Sequence, residues 1–193
     1  MFTHFDYNQL TILDNKSKID LGMTKNFGEN MEFEDYKAIL RRKLTSTYDL
    51  SDNYEINGLF FDLYGNYHMR TERYLATKKA VVYGMENNDY LFVKHHEDLN
   101  PVDLANYLTW TKESLKLIVF PHREHMSSTI TLVCVVENDL DEELIKQIRK
   151  SKYHRGFSLG FKGWFDLRLA VYSLKNHSLV TNKKGREVKG LFL

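Results

Sequence analysis

Residues 100–136 read NPVDLANYLTWTKESLKLIVFPHREHMSSTITLVCVV, and the way this stretch divides decides the fold. Asn100 can accept from the free amides of a helix start, Pro101 fits the first helical position, and Asp103 suits the positive end of the dipole. Leu104, Leu108, Thr111, Leu115 and Ile118 then recur in steps of four and three, an apolar seam that lasts only two heptads. One helix packed on a sheet accounts for the seam without a coiled-coil partner. Pro121 stops that helix. The run SSTITLVCVVE follows, β-branched and apolar on both faces, as a fully buried strand is.

Working outward, INGLFFDLYGNYHM, RYLATKKAVVYGM and YLFVKHH predict three strands before the helix, the last two joined by a turn at the NND of 87–89. Short connections make them an antiparallel meander. A first helix begins at Asn30. Phe33, Tyr36, Leu40 and Leu44 form its apolar face, acids fill its first turn, and Arg41, Arg42 and Lys43 sit at its negative end. Beyond the buried strand, the acidic run ENDLDEE opens a third helix over 139–152. Then GFSLGFKGWFDLRLAVYSL, LVTN and VKGLFL supply two or three more strands. The order α-βββ-α-β-α-ββ(β) predicts an α+β domain over residues 31–193, a mainly antiparallel mixed sheet of about six to seven strands with three helices. Residues 1–30 are polar and read as a separate arm or small hairpin.

The 193 residues, 42% hydrophobic and 27% charged, suit a globular chain with a substantial core. The net charge of +1 argues against a dedicated nucleic-acid binder, which carries a strong basic excess. The single cysteine, Cys134, lies inside ITLVCVV and is expected to be buried and inert. No signal peptide and no apolar run of about 20 residues is present, so a soluble, cytoplasmic protein without a membrane partner is expected.

Three groups of residues invite a functional reading. The first is histidine: His95 and His96 precede the second helix, and His122 and His125 follow it. Imidazoles are ordinary zinc ligands, but a helix of that length spans about 28 Å, so both pairs meet only if a loop reaches back. His122 and Arg123 also suit the free carbonyls of a helix end. Ser127 and Ser128 read as polar residues at a strand entry, and a serine nucleophile would need a positioned histidine. The second is YHRGFSLGFKGWFDLR, where aromatics interleave with His154, Arg155, Lys162 and Arg168 around Trp164. Such a mixture can grip a ligand or single-stranded nucleic acid by stacking and charge, and it also describes a pleated strand. The third is a metal-nuclease pattern. A helix, three strands and a helix open restriction-endonuclease-like folds, which need an acid on one strand and an acid-x-lysine on the next to hold Mg²⁺. Asp62 and Lys94 stand in the right places, but Phe92 occupies the second acid's position and leaves Glu86 as a substitute.

Three stretches carry a resemblance: EINGLFFDLYGNYHMRTERYLATKKAVVYGMENNDYLFVK, HMSSTITLVCVVENDLDEELIKQIRKSKY, and FSLGFKGWFDLRLAVYSL with its following TNKKGREVK. From Met31 onward the chain resembles an uncharacterised bacterial family, a domain of unknown function from anaerobic Gram-positive species. The resemblance implies no activity and no catalytic residue.

No motif names a reaction or a cofactor. The expectation is a non-catalytic binding or protein-interaction module, with a homodimer as one assembly. The alternative is a divalent-metal hydrolase or nuclease built on Asp62, Glu86 and Lys94.

Overall fold

The computed structural model describes residues 31–74 and 81–193. In chain order these form α1 (Phe33–Leu44), β1 (Asp49–Ile56), β2 (Leu59–Tyr74), β3 (Val81–His96), α2 (Pro101–Ile118), β4 (His125–Val136), α3 (Glu142–Lys150), β5 (His154–Gly156), β6 (Trp164–Ser173) and β7 (Ser178–Thr181). Single turns of 3₁₀ helix at Ser158–Gly160 and a longer 3₁₀ segment at Gly185–Leu191 complete them. The arm or hairpin expected over residues 1–30, and the Asn30 cap, lie outside the described residues.

One seven-stranded sheet runs β1-β2-β3-β4-β6-β5, with β7 beside β5 on the outer edge of β6. Its outer pairings are antiparallel, but β3 with β4 and β4 with β6 are parallel. Parallel neighbours need a crossover, and α2 and α3 are those crossovers. Both lie on the same face, where Leu104, Trp110, Leu115, Leu144 and Ile148 pack on Phe92, Leu132 and Phe165. The other face carries α1 and the C-terminal 3₁₀ segment, with Tyr36, Leu40, Val188 and Phe192 on Leu63, Leu91, Val133 and Ala170. The result is a three-layer α+β domain, mixed and mainly antiparallel. Burial of both faces explains why β4 reads as a continuous apolar run.

The start of α2 forms as its sequence dictates. Asn100 accepts from the amides of Val102 and Asp103 at 2.8 and 3.0 Å, and Asp103 returns the bond to Asn100. No helix among the described residues is long and apolar enough to cross a membrane.

The strand boundaries differ from the sequence-based expectation. The first meander strand is DLSDNYEI, β1, and the hairpin turns at Asn57–Gly58, both at positive φ (+50° and +73°). Asn-Gly favours that two-residue turn because its twist matches the strands. The NND of 87–89 is not a turn but lies inside β3, paired to β2 and β4 on both sides. Cross-strand bonding on two edges outweighs local turn propensity there. VKGLFL, expected as a strand, is instead the last turn of the 3₁₀ segment, through Leu191, and the two residues after it.

The strand β2 is irregular at Asp62. Phe61 packs in the α2-side core and Leu63, two residues on, in the α1-side core, both fully buried. Residues two apart on a regular strand share a face, so the alternation slips at Asp62. Asn53, at φ +55°, stands opposite, and the register passes from Asp52↔Leu63 to Tyr54↔Phe61 around it.

Candidate functional site

The parallel pairing fixes where the histidines go. Glu86 is opposite His125 and His95 opposite Val135, so His95 and His96 lie about 33 Å from His125 at roughly 3.3 Å per residue. The two pairs occupy opposite ends of the sheet. They also divide within themselves: His95 stacks on Phe33 of α1 at 4.3 Å, whereas His96 accepts from or donates to the Tyr107 hydroxyl of α2 at 2.8 Å. Adjacent residues on a strand point to opposite faces. Burial holds the His96 imidazole below the usual histidine range, with Lys94 adding to the effect and Asp103 and Asp62 opposing it. The other ring, His95, meets Glu137.

At that end, Asp62 accepts from the backbone N–H of His95 at 2.7 Å. The carboxylate satisfies a backbone donor where the β2–β3 ladder stops at Leu63↔Val93. The Lys94 ammonium lies over the ring of Phe60 at 5.0 Å. Glu86 is elsewhere: it pairs in register with Arg70, eight residues along β2 from Asp62 (62 to 70), about 26 Å away. There it meets His122 Nε2 at 2.9 Å and Arg70 at 3.7 Å, while Arg70 also reaches Glu124 at 2.9 Å. The structure therefore does not bring Asp62 and Glu86 together.

His122 of the α2–β4 connection and His125, the first residue of β4, do approach, with ring centroids 6.2 Å apart. The His125 ring is nonetheless fully occupied. Its Nδ1 lies 2.6 Å from the Lys162 carbonyl and its Nε2 2.9 Å from Ser128 Oγ. A carbonyl only accepts, so Nδ1 carries the proton and Nε2 accepts from the serine hydroxyl in the neutral ring. A serine beside an oriented imidazole is the geometry of a nucleophile and its base. Here Ser128 and His125 are 1% and 4% exposed, and the rings of His125 and Phe157 meet edge-on at 5.7 Å. The arrangement closes over the pair and fastens the 157–163 loop to β4. Among the described residues, no group of three or more His, Cys, Asp or Glu side chains gathers closely enough to hold a metal ion.

That loop is the most unusual surface of the chain. Ser158 and Leu159 adopt φ of +49° and +55°, followed by Gly160 and Gly163 at +90° and +74°. Left-handed backbone at a leucine costs about 1 kcal/mol or more and persists only where the surroundings impose it. They do so through a net of short-range bonds: Gly160 and Lys162 amides donate to Phe157 O, and the Phe157 amide to Gly163 O. Gly163 presses on β4 so closely that a Cβ would stand 2.2 Å from Met126 O. The product is a rigid tip that holds Leu159 99% and Phe161 86% exposed. Phe120, 71% exposed, leaves α2 at the same end of the sheet.

The remaining residues of YHRGFSLGFKGWFDLR disperse. His154 Nδ1 meets Asp166 at 2.8 Å, and Arg155 lies over the Phe157 ring at 5.7 Å. Lys162 is exposed, Trp164 half-buried and Arg168 buried. The Arg168 guanidinium joins Asp89 of β3 and Glu187 of the C-terminal segment, and Lys184 bridges Glu187 and Asp166. Burial would raise the Glu187 pKa, but the Lys184 and Arg168 cations outweigh it and hold the carboxyl below its usual range. Leu159, Phe161 and Phe120 were not distinguished by the sequence reasoning. The signal that could have found them is a bulky apolar pair between glycines, with no strand or helix period to bury it.

A family model described as Domain of unknown function (DUF8052) matches residues 32–193, most of the chain. The chain belongs to this family. No curated protein and no solved structure matches it. The DUF8052 match takes in α1 through the C-terminal segment and so covers the sheet, both helix layers and the 157–163 tip.

Proposed function

We propose that this DUF8052 chain is a non-catalytic protein-interaction module whose contact surface is the 157–163 tip with Phe120. One observation carries it: Leu159 and Phe161 are 99% and 86% exposed on a loop whose backbone is internally bonded and locally strained. Large apolar side chains held rigidly in water are what a contact surface needs, because binding then orders few new groups. Arg155 and Lys162 give the apolar tip a basic rim. A second copy of the chain is the partner to test first, since two-fold homodimers are the commonest assemblies. A single domain over 31–193, a cytoplasmic location, an anaerobic Gram-positive bacterial source and the absence of a membrane, nucleic-acid or cofactor requirement belong to the same reading. The alternative, a metal-dependent hydrolase using Asp62, Glu86 and Lys94, draws less support from the roughly 26 Å between the two carboxylates.

The test is sedimentation velocity over a wide concentration range, with Leu159→Ser/Phe161→Ser beside the wild type. The wild type should move from monomer to dimer as concentration rises, and the double variant should stay monomeric. Its unfolding free energy should change by less than about 0.5 kcal/mol, as for surface substitutions generally. A large loss of stability in the variant would instead make the tip part of the core and overturn the proposal.

A further inference from the structure

A second surface, remote from the tip in sequence, has the chemistry of an anion site. Arg149 in the last turn of α3, Lys183 in the turn after β7, Arg186 and Lys189 of the C-terminal 3₁₀ segment, and the β7 residues Leu179–Thr181 line a cleft of about 320 Å³. Among the described residues, no carboxylate lines it. Among the described residues, none of the four cations makes an ion pair, whereas their neighbour Lys184 turns inward to Glu187 and Asp166. In a chain with 27 basic and 26 acidic side chains, four uncompensated cations at one cleft are a local departure from balance.

The cleft is also built, not a loose charged turn. Asn182, 1% exposed, fixes it from beneath. Its Oδ1 accepts from the amides of Leu169 and Gly185 at 3.1 and 2.7 Å, and its Nδ2 donates to the carbonyls of Ser151 and Leu167 at 3.2 and 3.0 Å. One side chain thereby ties the basic turn to β6 and to the residue that caps α3. Gly185 completes the close approach, since a Cβ there would lie 2.6 Å from Leu169 O. Arg149 and the turn are thus held in fixed relation before any ligand arrives. Among the described residues β7 pairs only with β6, so its outer edge also presents backbone amides.

We infer that this cleft binds a small phosphorylated ligand carrying at least two phosphoryl groups. Guanidinium forks and ammonium groups match phosphate oxygens, and four cations exceed what one phosphate can use. The volume is at the small end of ligand sites, about 300–1,000 Å³, enough for a di- or triphosphate unit and too short for a nucleic-acid track.

The full chain is titrated calorimetrically at low salt with inorganic triphosphate, ATP, orthophosphate, sulfate and a short oligothymidylate. Triphosphate and ATP should bind at least about tenfold more tightly than orthophosphate or sulfate, and the affinity should fall as salt rises. Arg186→Glu with Lys189→Glu should weaken triphosphate binding about a hundredfold while leaving the thermal midpoint unchanged, because both side chains are exposed. Lys116→Glu, on α2, should bind as the wild type does. ATP binding without triphosphate binding, oligonucleotide binding without either, equal affinity for sulfate and triphosphate, or an unaffected double charge-reversal variant would each overturn the inference.

Discussion

His125 is buried with both ring nitrogens engaged. Its imidazole joins the Lys162 carbonyl to the Ser128 hydroxyl inside the protein. His125→Ala would leave both partners without this bond under the 157–163 loop. The expected cost is about 1–3 kcal/mol in urea unfolding, with faster tryptic cleavage after Arg155 and Lys162. His96 makes a pH prediction. Its folded pKa is depressed from the ordinary 6.5 by burial, so as pH falls the unfolded chain takes up the proton first. Its contribution to stability is therefore complete above about 6.5 and is lost as pH falls below that value toward the folded pKa. His96→Gln should flatten the fall in urea midpoint between pH 7.5 and 5.5. Cys134 is fully buried in the α2-side core, and burial pushes its thiol up to about 12. A thiol reagent should leave the native chain unlabelled at neutral pH and react on unfolding. That burial was legible from ITLVCVV. The partners of His125 were not, because Lys162 is brought there by a loop 37 residues on.

The elements divide by how local their causes are. The start of α2 was readable because Asn100, Pro101 and Asp103 act within four residues, and Asn100→Ala should cost about 1 kcal/mol of stability. β1 was missed because DLSDNYEI is an edge strand, mostly exposed, whose alternate apolar residues Leu50, Tyr54 and Ile56 are interrupted by Asp52 and divide between the two cores. The Asn57–Gly58 turn beside it was the available signal. The long pairing of β2 with β3 was misread because its middle carries turn-prone residues that two neighbouring strands override. The tip at 157–163 follows from glycines whose effect depends on what they press against, which is Met126 of β4.

In the whole molecule, the order of elements along the chain was legible and the order of strands in the sheet was not. Alternating elements gave an α+β chain, but the parallel joins of β3, β4 and β6 depend on which face α2 and α3 take. Those joins place Asp89 and Arg168, 79 residues apart, side by side in the interior. Arg168→Met, which leaves Asp89 and Glu187 without that cation, should destabilise the fold by about 3–5 kcal/mol, and Asp89→Asn added to it should recover part of the loss. The same topology leaves the tip at the end of the sheet where β4 begins, projecting past the core. Hydroxyl-radical footprinting of the wild type, at concentrations below and above the assembly transition, tests the contact surface directly. Leu159 and Phe161 should lose most of their reactivity on assembly while Val102, exposed on α2, keeps its own. Equal reactivity of Leu159 and Phe161 across an established transition would contradict the account.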